Sequence, residues 1–125
     1  MDELEPAARP VVLVVEDEWL VRFHAVEMLH EAGFLVLDAA NADDAVAILE
    51  TRNDIRVVFT DIDMPGSMDG LKLARAVRDR WPPIKIIVTS GQRFASADDL
   101  PEGGQFFGKP YDITEVTRTI RRMIA

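Results

Sequence analysis

The stretch Val57-Val58-Phe59-Thr60-Asp61-Ile62-Asp63-Met64-Pro65 decides the reading of this chain. Its first four residues are apolar or β-branched with no polar alternation, the pattern of a strand covered on both faces. The run stops on one acid, Asp61, and a second, Asp63, follows two residues later. Pro65 has no N–H for a ladder, so the chain must leave the sheet before it.

The same design recurs on either side. Val11-Val12-Leu13-Val14-Val15 is equally continuous and ends at Glu16-Asp17. Ile84-Lys85-Ile86-Ile87-Val88 ends at Thr89-Ser90, and Gln105-Phe106-Phe107-Gly108 ends at Lys109-Pro110. Leu35-Val36-Leu37 is a shorter strand, expected nearer an edge. Helical spacing fills the intervals. Val21, Ala25, Met28 and Ala32 share a face over residues 18–32, with Gly33 as the stop. Asn41 caps a helix to about Thr51 that turns Ala45, Ile48 and Leu49 inward. Asp69 caps the next, which buries Leu73, Ala74 and Val77 and halts before Pro82-Pro83. Residues 94–100 are a weak helix before Pro101 and Gly103-Gly104. Asp112 with Glu115 forms a capping box for the last, which carries Ile113, Val116, Ile120 and Met123. Five strand–helix units predict an α/β fold, a doubly wound five-stranded parallel sheet with right-handed crossovers. Ligands of such sheets sit at the carboxyl ends of the strands.

Composition narrows the function. The 125 residues fit one domain, with residues 1–9 a disordered tail and 10–125 the folded unit. With 22 Asp+Glu against 14 Lys+Arg the net charge is −8, which argues against nucleic acid and anionic membrane as partners. There is no cysteine, hence no disulfide, thiolate ligand or thiol nucleophile. No apolar run approaches the ~20 residues of a membrane span. The acidic, proline-bearing N-terminus is unlike a secretory signal. A cytoplasmic protein is expected.

The predicted strand ends bring together acid (Glu16, Asp17), acid (Asp61, Asp63), hydroxyl (Thr89, Ser90) and ammonium (Lys109). Clustered carboxylates repel unless a cation offsets them. Mg²⁺ suits the task, because it takes oxygen ligands, uses few carboxylates and keeps several waters. Such an ion also holds phosphoryl oxygens, with Lys109 and the Thr89 hydroxyl supplying further positive charge and a donor. Asp61, ending the central strand, is the natural carboxylate nucleophile.

In Glu16-Asp17, Asp61-Ile62-Asp63-Met64-Pro65, Met68-Asp69-Gly70, Thr89-Ser90 and Lys109-Pro110 the chain resembles the receiver domain of bacterial two-component response regulators. The resemblance spans roughly residues 10–124 and implies a flavodoxin-like, CheY-like fold. It implies that Asp61 takes a phosphoryl group from a phosphohistidine. Mg²⁺ (or Mn²⁺) would be held by Asp17, Asp61, Glu16 through water, and the backbone carbonyl of Asp63. Lys109 would pair with the phosphoryl group, and Thr89 would swing toward it as Phe106, at the aromatic switch position, turns inward. The Lys109-Pro110 bond is often cis in the family, where an X-Pro bond makes this affordable. The implied partners are a sensor histidine kinase or a histidine phosphotransfer protein, then a downstream protein. The implied state is a monomer or a weak homodimer through the 94–100 helix, the fifth strand and the last helix.

The chain departs from the commoner pattern in places. Pro65-Gly66-Ser67-Met68 has one residue more than the usual loop. Asp63 adds negative charge beside the acceptor and is expected to modulate hydrolysis of the acyl phosphate. Gly91 leaves access to the phosphoryl site open. Phe106 lacks a tyrosine hydroxyl, so its switching rests on packing. Elsewhere bland readings are preferred. His24 and His30 lie six apart on the first helix and do not share a face. Trp19 packs the helix start or covers the site rim, and Trp81 packs a helix end. Arg118, Arg121 and Arg122 form a solvated face, with a contact to an acidic partner or a dimer mate as the alternative. Met64 is loop packing.

The leading expectation is a stand-alone receiver, a switch that catalyses only its own phosphorylation and dephosphorylation and alters protein–protein interactions. Two other classes compete with it. A Mg²⁺-dependent phosphatase of the haloacid dehalogenase type also places Asp-x-Asp after a strand, but its acidic pair follows the nucleophile. A phosphorylation-independent pseudo-receiver is disfavoured by the intact Asp61, Thr89 and Lys109.

Overall fold

The computed structural model describes residues 9–66, 68–91 and 100–125. Nine elements follow in the order β1 (Val11–Val15), α1 (Trp19–Glu31), β2 (Leu35–Ala39), α2 (Ala42–Thr51), β3 (Ile55–Asp61), α3 (Gly70–Arg80), β4 (Lys85–Ser90), β5 (Gln105–Gly108) and α4 (Ile113–Ile124). The expected helix at 94–100 lies outside the described residues, Leu100 excepted.

All neighbouring strands pair in parallel, in the order β2-β1-β3-β4-β5. The chain runs outward from β1 to β2, then crosses back to β3 on the other side. That reversal places the switch point between the carboxyl ends of β1 and β3, where Glu16 and Asp61 stand.

Alternating side chains explain why the central strands are apolar throughout. Val11, Leu13 and Val15 face a core completed by Ala45 and Leu49 of α2 and Leu73, Ala74 and Val77 of α3. Val12 and Val14 face the opposite core with Ala25 and Leu29 of α1 and Val116 and Ile120 of α4. Two helices thus cover each face, and β2 and β5 are the edges, β2 as its shorter apolar run predicts.

Boundaries moved where tertiary pairing overrode the local pattern. β3 starts two residues early, at Ile55, and the β1–β3 register shifts between Val11 and Val12. Arg56 is the extra residue of this bulge. It points outward, and its guanidinium donates to the Ile124 carbonyl at 3.1 Å. β2 runs on to Ala39 and β4 to Ser90. Asn41 and Asp69 cap α2 and α3 by accepting the Asp44 and Lys72 N–H groups.

The capping box at α4 is corrected. Asp112 accepts from the Thr114 N–H at 2.9 Å, one residue short of the box, and Glu115 pairs with Arg118 instead. Arg121 is exposed, as a solvated face requires, and it also makes specific contacts. Its guanidinium lies over the Phe34 ring and donates to the Ala32 carbonyl, tying α4 to the end of α1. Trp81 is partly buried against the core beneath the Arg80 guanidinium. Met64 packs on the same core.

Gly70 sets the tightest constraint near the site. A Cβ built there would stand 1.9 Å from the Asp61 carbonyl oxygen, so α3 begins in direct contact with the backbone of β3. At Gly91 a Cβ would meet Lys109 Cβ at 3.6 Å and Cδ at 3.8 Å, both ordinary contacts. Gly70→Ala is therefore expected to lower unfolding stability by about 3 kcal/mol in urea titration. Gly91→Ala should stay within about 0.5 kcal/mol of the parent.

Candidate functional site

The parallel register collects the polar strand ends at one edge. Asp61 sits beside Thr89 and Ser90 beside Gly108, the residue before Lys109. Glu16 follows β1 directly, and its N–H donates to the Ala39 carbonyl at 3.1 Å. Glu16, Asp61, Thr89 and Ser90 are all buried, while Asp17 is exposed. One carboxylate oxygen from each of Glu16, Asp17 and Asp61 lies within 4.8 Å of the others.

Lys109 is the cation inside this group. Its Nζ donates to Glu16 Oε1 at 2.8 Å and stands 3.4 Å from Asp61 Oδ1. Glu16 Oε2 accepts the Glu18 N–H at 3.1 Å, so both oxygens of Glu16 are engaged. Asp61 differs. Its Oδ1 is buried without a hydrogen-bond partner, and so is Thr89 Oγ1. A buried polar atom left in this way costs about 1–3 kcal/mol unless something binds it.

The charges respond accordingly. Burial, then the neighbouring Glu16 charge, push the Asp61 carboxyl up to about 6, against the opposing pull of Lys109 and the Asp63 N–H. For Lys109, burial works against the ammonium, but the Glu16 hydrogen bond and the Asp61 charge outweigh it and raise its pKa. Burial also raises the Tyr111 hydroxyl, whose ring packs edge-on against Phe59 with centroids 5.3 Å apart. One ammonium is thus too little for the acids around it. The donor set is all oxygen, clustered and short of positive charge, which fits a hard divalent cation.

The acids, hydroxyls and lysine singled out from the strand ends of the sequence are at this end of the sheet or beside it. Asp63 follows Asp61 in an exposed loop position, but its carboxylate is engaged, accepting from Ser90 Oγ at 2.6 Å. Phe106 is half-buried on β5, against the core of α2 and α3. The Lys109-Pro110 peptide is cis. Three features escaped the sequence reading. Ser90 is readable from the sequence as a strand-end hydroxyl, but its partner Asp63 is not. Arg22 donates to the Glu16 carbonyl at 2.7 Å and to Asp38 Oδ2 at 3.0 Å, so it clamps the acidic turn to the end of β2. Trp19, Leu20 and Phe23 of α1 are more than half exposed, and Trp19 leans on Phe23 rather than packing the helix start. The signal was present: α1 is apolar around most of its circumference, so only part of it faces the core. Beside these residues an apolar groove runs between α1 and Lys109–Ile113, lined by Leu20, Phe23, Met28, Pro110 and Ile113.

Comparison with known proteins agrees with this arrangement. The model of the response regulator receiver domain matches residues 12–121. The chain is 36% identical over 117 residues to the sensor kinase CckA of Brucella abortus, covering 90% of this chain and 12% of that kinase. It is 30% identical to the response regulator receiver protein CpdR of Brucella abortus, covering 90% of this chain and 95% of CpdR. The crystal structure of the receiver domain of the hybrid histidine kinase CckA superposes with a TM-score of 0.78 at 29% identity, over 92% of this chain and 99% of that one. Fold and site define a doubly wound α/β signalling module with an acid-lined edge. The chain belongs to the response regulator receiver domain family of two-component signalling, and the phosphatase class weighed from the sequence falls away.

Because the folded Asp61 binds its proton more tightly than the unfolded one, its contribution to stability is present below about pH 4. It is lost as pH rises through about 6. In metal-free buffer, Asp61→Asn should be more stable than the parent at pH 7.5 by on the order of 2 kcal/mol. That advantage should disappear near pH 4, read by urea unfolding at both pH values.

Proposed function

We propose that Asp61 is the phospho-acceptor of this receiver, and that residues 10–125 act as a phosphorylation-driven switch of protein–protein contacts. The observation that carries this is the buried Asp61 Oδ1, set among acids, ion-paired with Lys109 at 3.4 Å but without a hydrogen bond, beside a Thr89 hydroxyl that also has no hydrogen-bond partner. Asp17, Asp61, Glu16 through water and the Asp63 carbonyl would hold Mg²⁺ or Mn²⁺. When bound, that ion supplies positive charge against carboxylate repulsion and toward phosphoryl oxygens.

The residues then divide the work. An Asp61 oxygen attacks the phosphorus of a phosphohistidine, forming the O–P bond as the N–P bond breaks. The N–P electron pair leaves with the imidazole nitrogen, which takes a proton from solvent. Lys109 exchanges Glu16 for a phosphoryl oxygen, a move of short reach because Nζ already lies between Glu16 and Asp61. The Thr89 hydroxyl gains its missing partner by donating to another phosphoryl oxygen, and Phe106 follows by repacking. The chain's chemistry is confined to gaining and losing its own phosphoryl group. The donor would be a sensor kinase or phosphotransfer protein, seated on the α1 aromatics beside the site. A cytoplasmic setting goes with such a donor. Among the described residues no helix is long and apolar enough to cross a membrane.

Incubation with Mg²⁺ and acetyl phosphate, followed by intact mass, tests the acceptor. The parent should gain one phosphoryl group and Asp61→Ala none. Continuous turnover of phosphomonoesters would indicate a phosphatase, and no uptake with Mg²⁺ bound a pseudo-receiver. Either result overturns the reading. The donor surface is tested separately. Leu20→Ser with Phe23→Ser should slow transfer from a phosphorylated histidine phosphotransfer protein on the order of tenfold, while uptake from acetyl phosphate is unchanged.

A further inference from the structure

One contact at the site is not used by the transfer itself. Ser90 Oγ donates to Asp63 Oδ2 at 2.6 Å, in the short range of hydrogen bonds to a carboxylate. Ser90 is buried, directly after Thr89, and its carbonyl accepts the Lys109 N–H at 2.9 Å. Asp63 lies two residues after Asp61, with its N–H directed to the Asp61 carboxylate. This single hydroxyl therefore joins the strand end that carries Thr89 and Lys109 to the loop that wraps the acceptor.

The consequence concerns water. A carboxylate next to an aspartyl phosphate is a ready general base for the water that hydrolyses it. In this structure that carboxylate is directed to β4 and one of its oxygens is taken up by Ser90. A serine hydroxyl has one proton to donate, and here it goes to Asp63.

We propose that Ser90 is a positioning residue whose hydroxyl holds the Asp63 carboxylate away from the hydrolytic water and so lengthens the life of the phosphoryl group on Asp61. The inference rests on Asp61 as acceptor and adds a determinant of lifetime. Loss of the hydroxyl frees Asp63, and hydrolysis accelerates. Without the Asp63 carboxylate, nothing remains for Ser90 to restrain.

The test is a double-mutant cycle on the full chain, with Ser90→Ala, Asp63→Ala and the double variant. Each is labelled with acetyl phosphate and Mg²⁺, and uptake and loss of the phosphoryl group are followed by intact mass. Ser90→Ala should shorten the lifetime about three- to tenfold while uptake changes less than about twofold. In the Asp63→Ala background the same substitution should leave the lifetime unchanged. An unaltered or longer lifetime in Ser90→Ala overturns the proposal. So does an equal shortening in both backgrounds, which would mark a packing effect independent of Asp63. If the parent takes up no phosphoryl group, the acceptor assignment itself fails, and the inference falls with it.

Discussion

Like charges forced together at the carboxyl end of the sheet are the constraint on which the rest of this structure depends. Glu16, Asp17 and Asp61 bring oxygens within 4.8 Å of one another, two of the three residues being buried. Carboxylates so placed repel one another and oppose folding. Lys109 meets part of that cost, and its preference for Glu16 over Asp61, 2.8 Å against 3.4 Å, decides which acid is left short. Asp61 is the one left, with a pKa near 6 and an oxygen without a hydrogen bond. An acid held in this condition is suited to bind a cation, whose positive charge relieves it.

Holding it there is the work of the two cores. The central strands bury side chains on both faces, so their carboxyl ends have little freedom to move apart. The backbone contact at Gly70 locks the start of α3 against the Asp61 carbonyl. Arg22 fixes the turn after β1 from the other side, through the Glu16 carbonyl and Asp38. Around this rigid frame the small movable parts are polar: an ammonium between two acids, a threonine hydroxyl without a partner, and a serine tied to Asp63.

Helix α1 is unusual within this frame. Its Ala25 and Leu29 belong to the core, yet its first turns expose Trp19, Leu20 and Phe23 next to the acidic turn. Exposed aromatics grouped beside a reactive site are a costly surface unless something covers them. Their position is continuous with the groove along Lys109–Ile113, and the proposed donor surface follows from it.

Much of this was legible in the residues. Continuous β-branched runs closed by Glu16-Asp17, Asp61, Thr89-Ser90 and Lys109 announced buried parallel strands and a polar edge, because both features follow from local order along the chain. Asn41 and Asp69 were readable as caps for the same reason. What the sequence could not show depends on contacts distant along the chain. The bulge at Arg56 arises from pairing β3 with β1, and Arg121 is held by Phe34 and Ala32 rather than by its helical neighbours. The 2.6 Å bond of Ser90 to Asp63 joins residues 27 apart. Residue order by itself determined that acids, hydroxyls and an ammonium end the strands of one sheet. Only the tertiary structure decided which of them pair. Hydrogen bonds and ion pairs act over a few ångströms, and packing, not chain order, sets those distances.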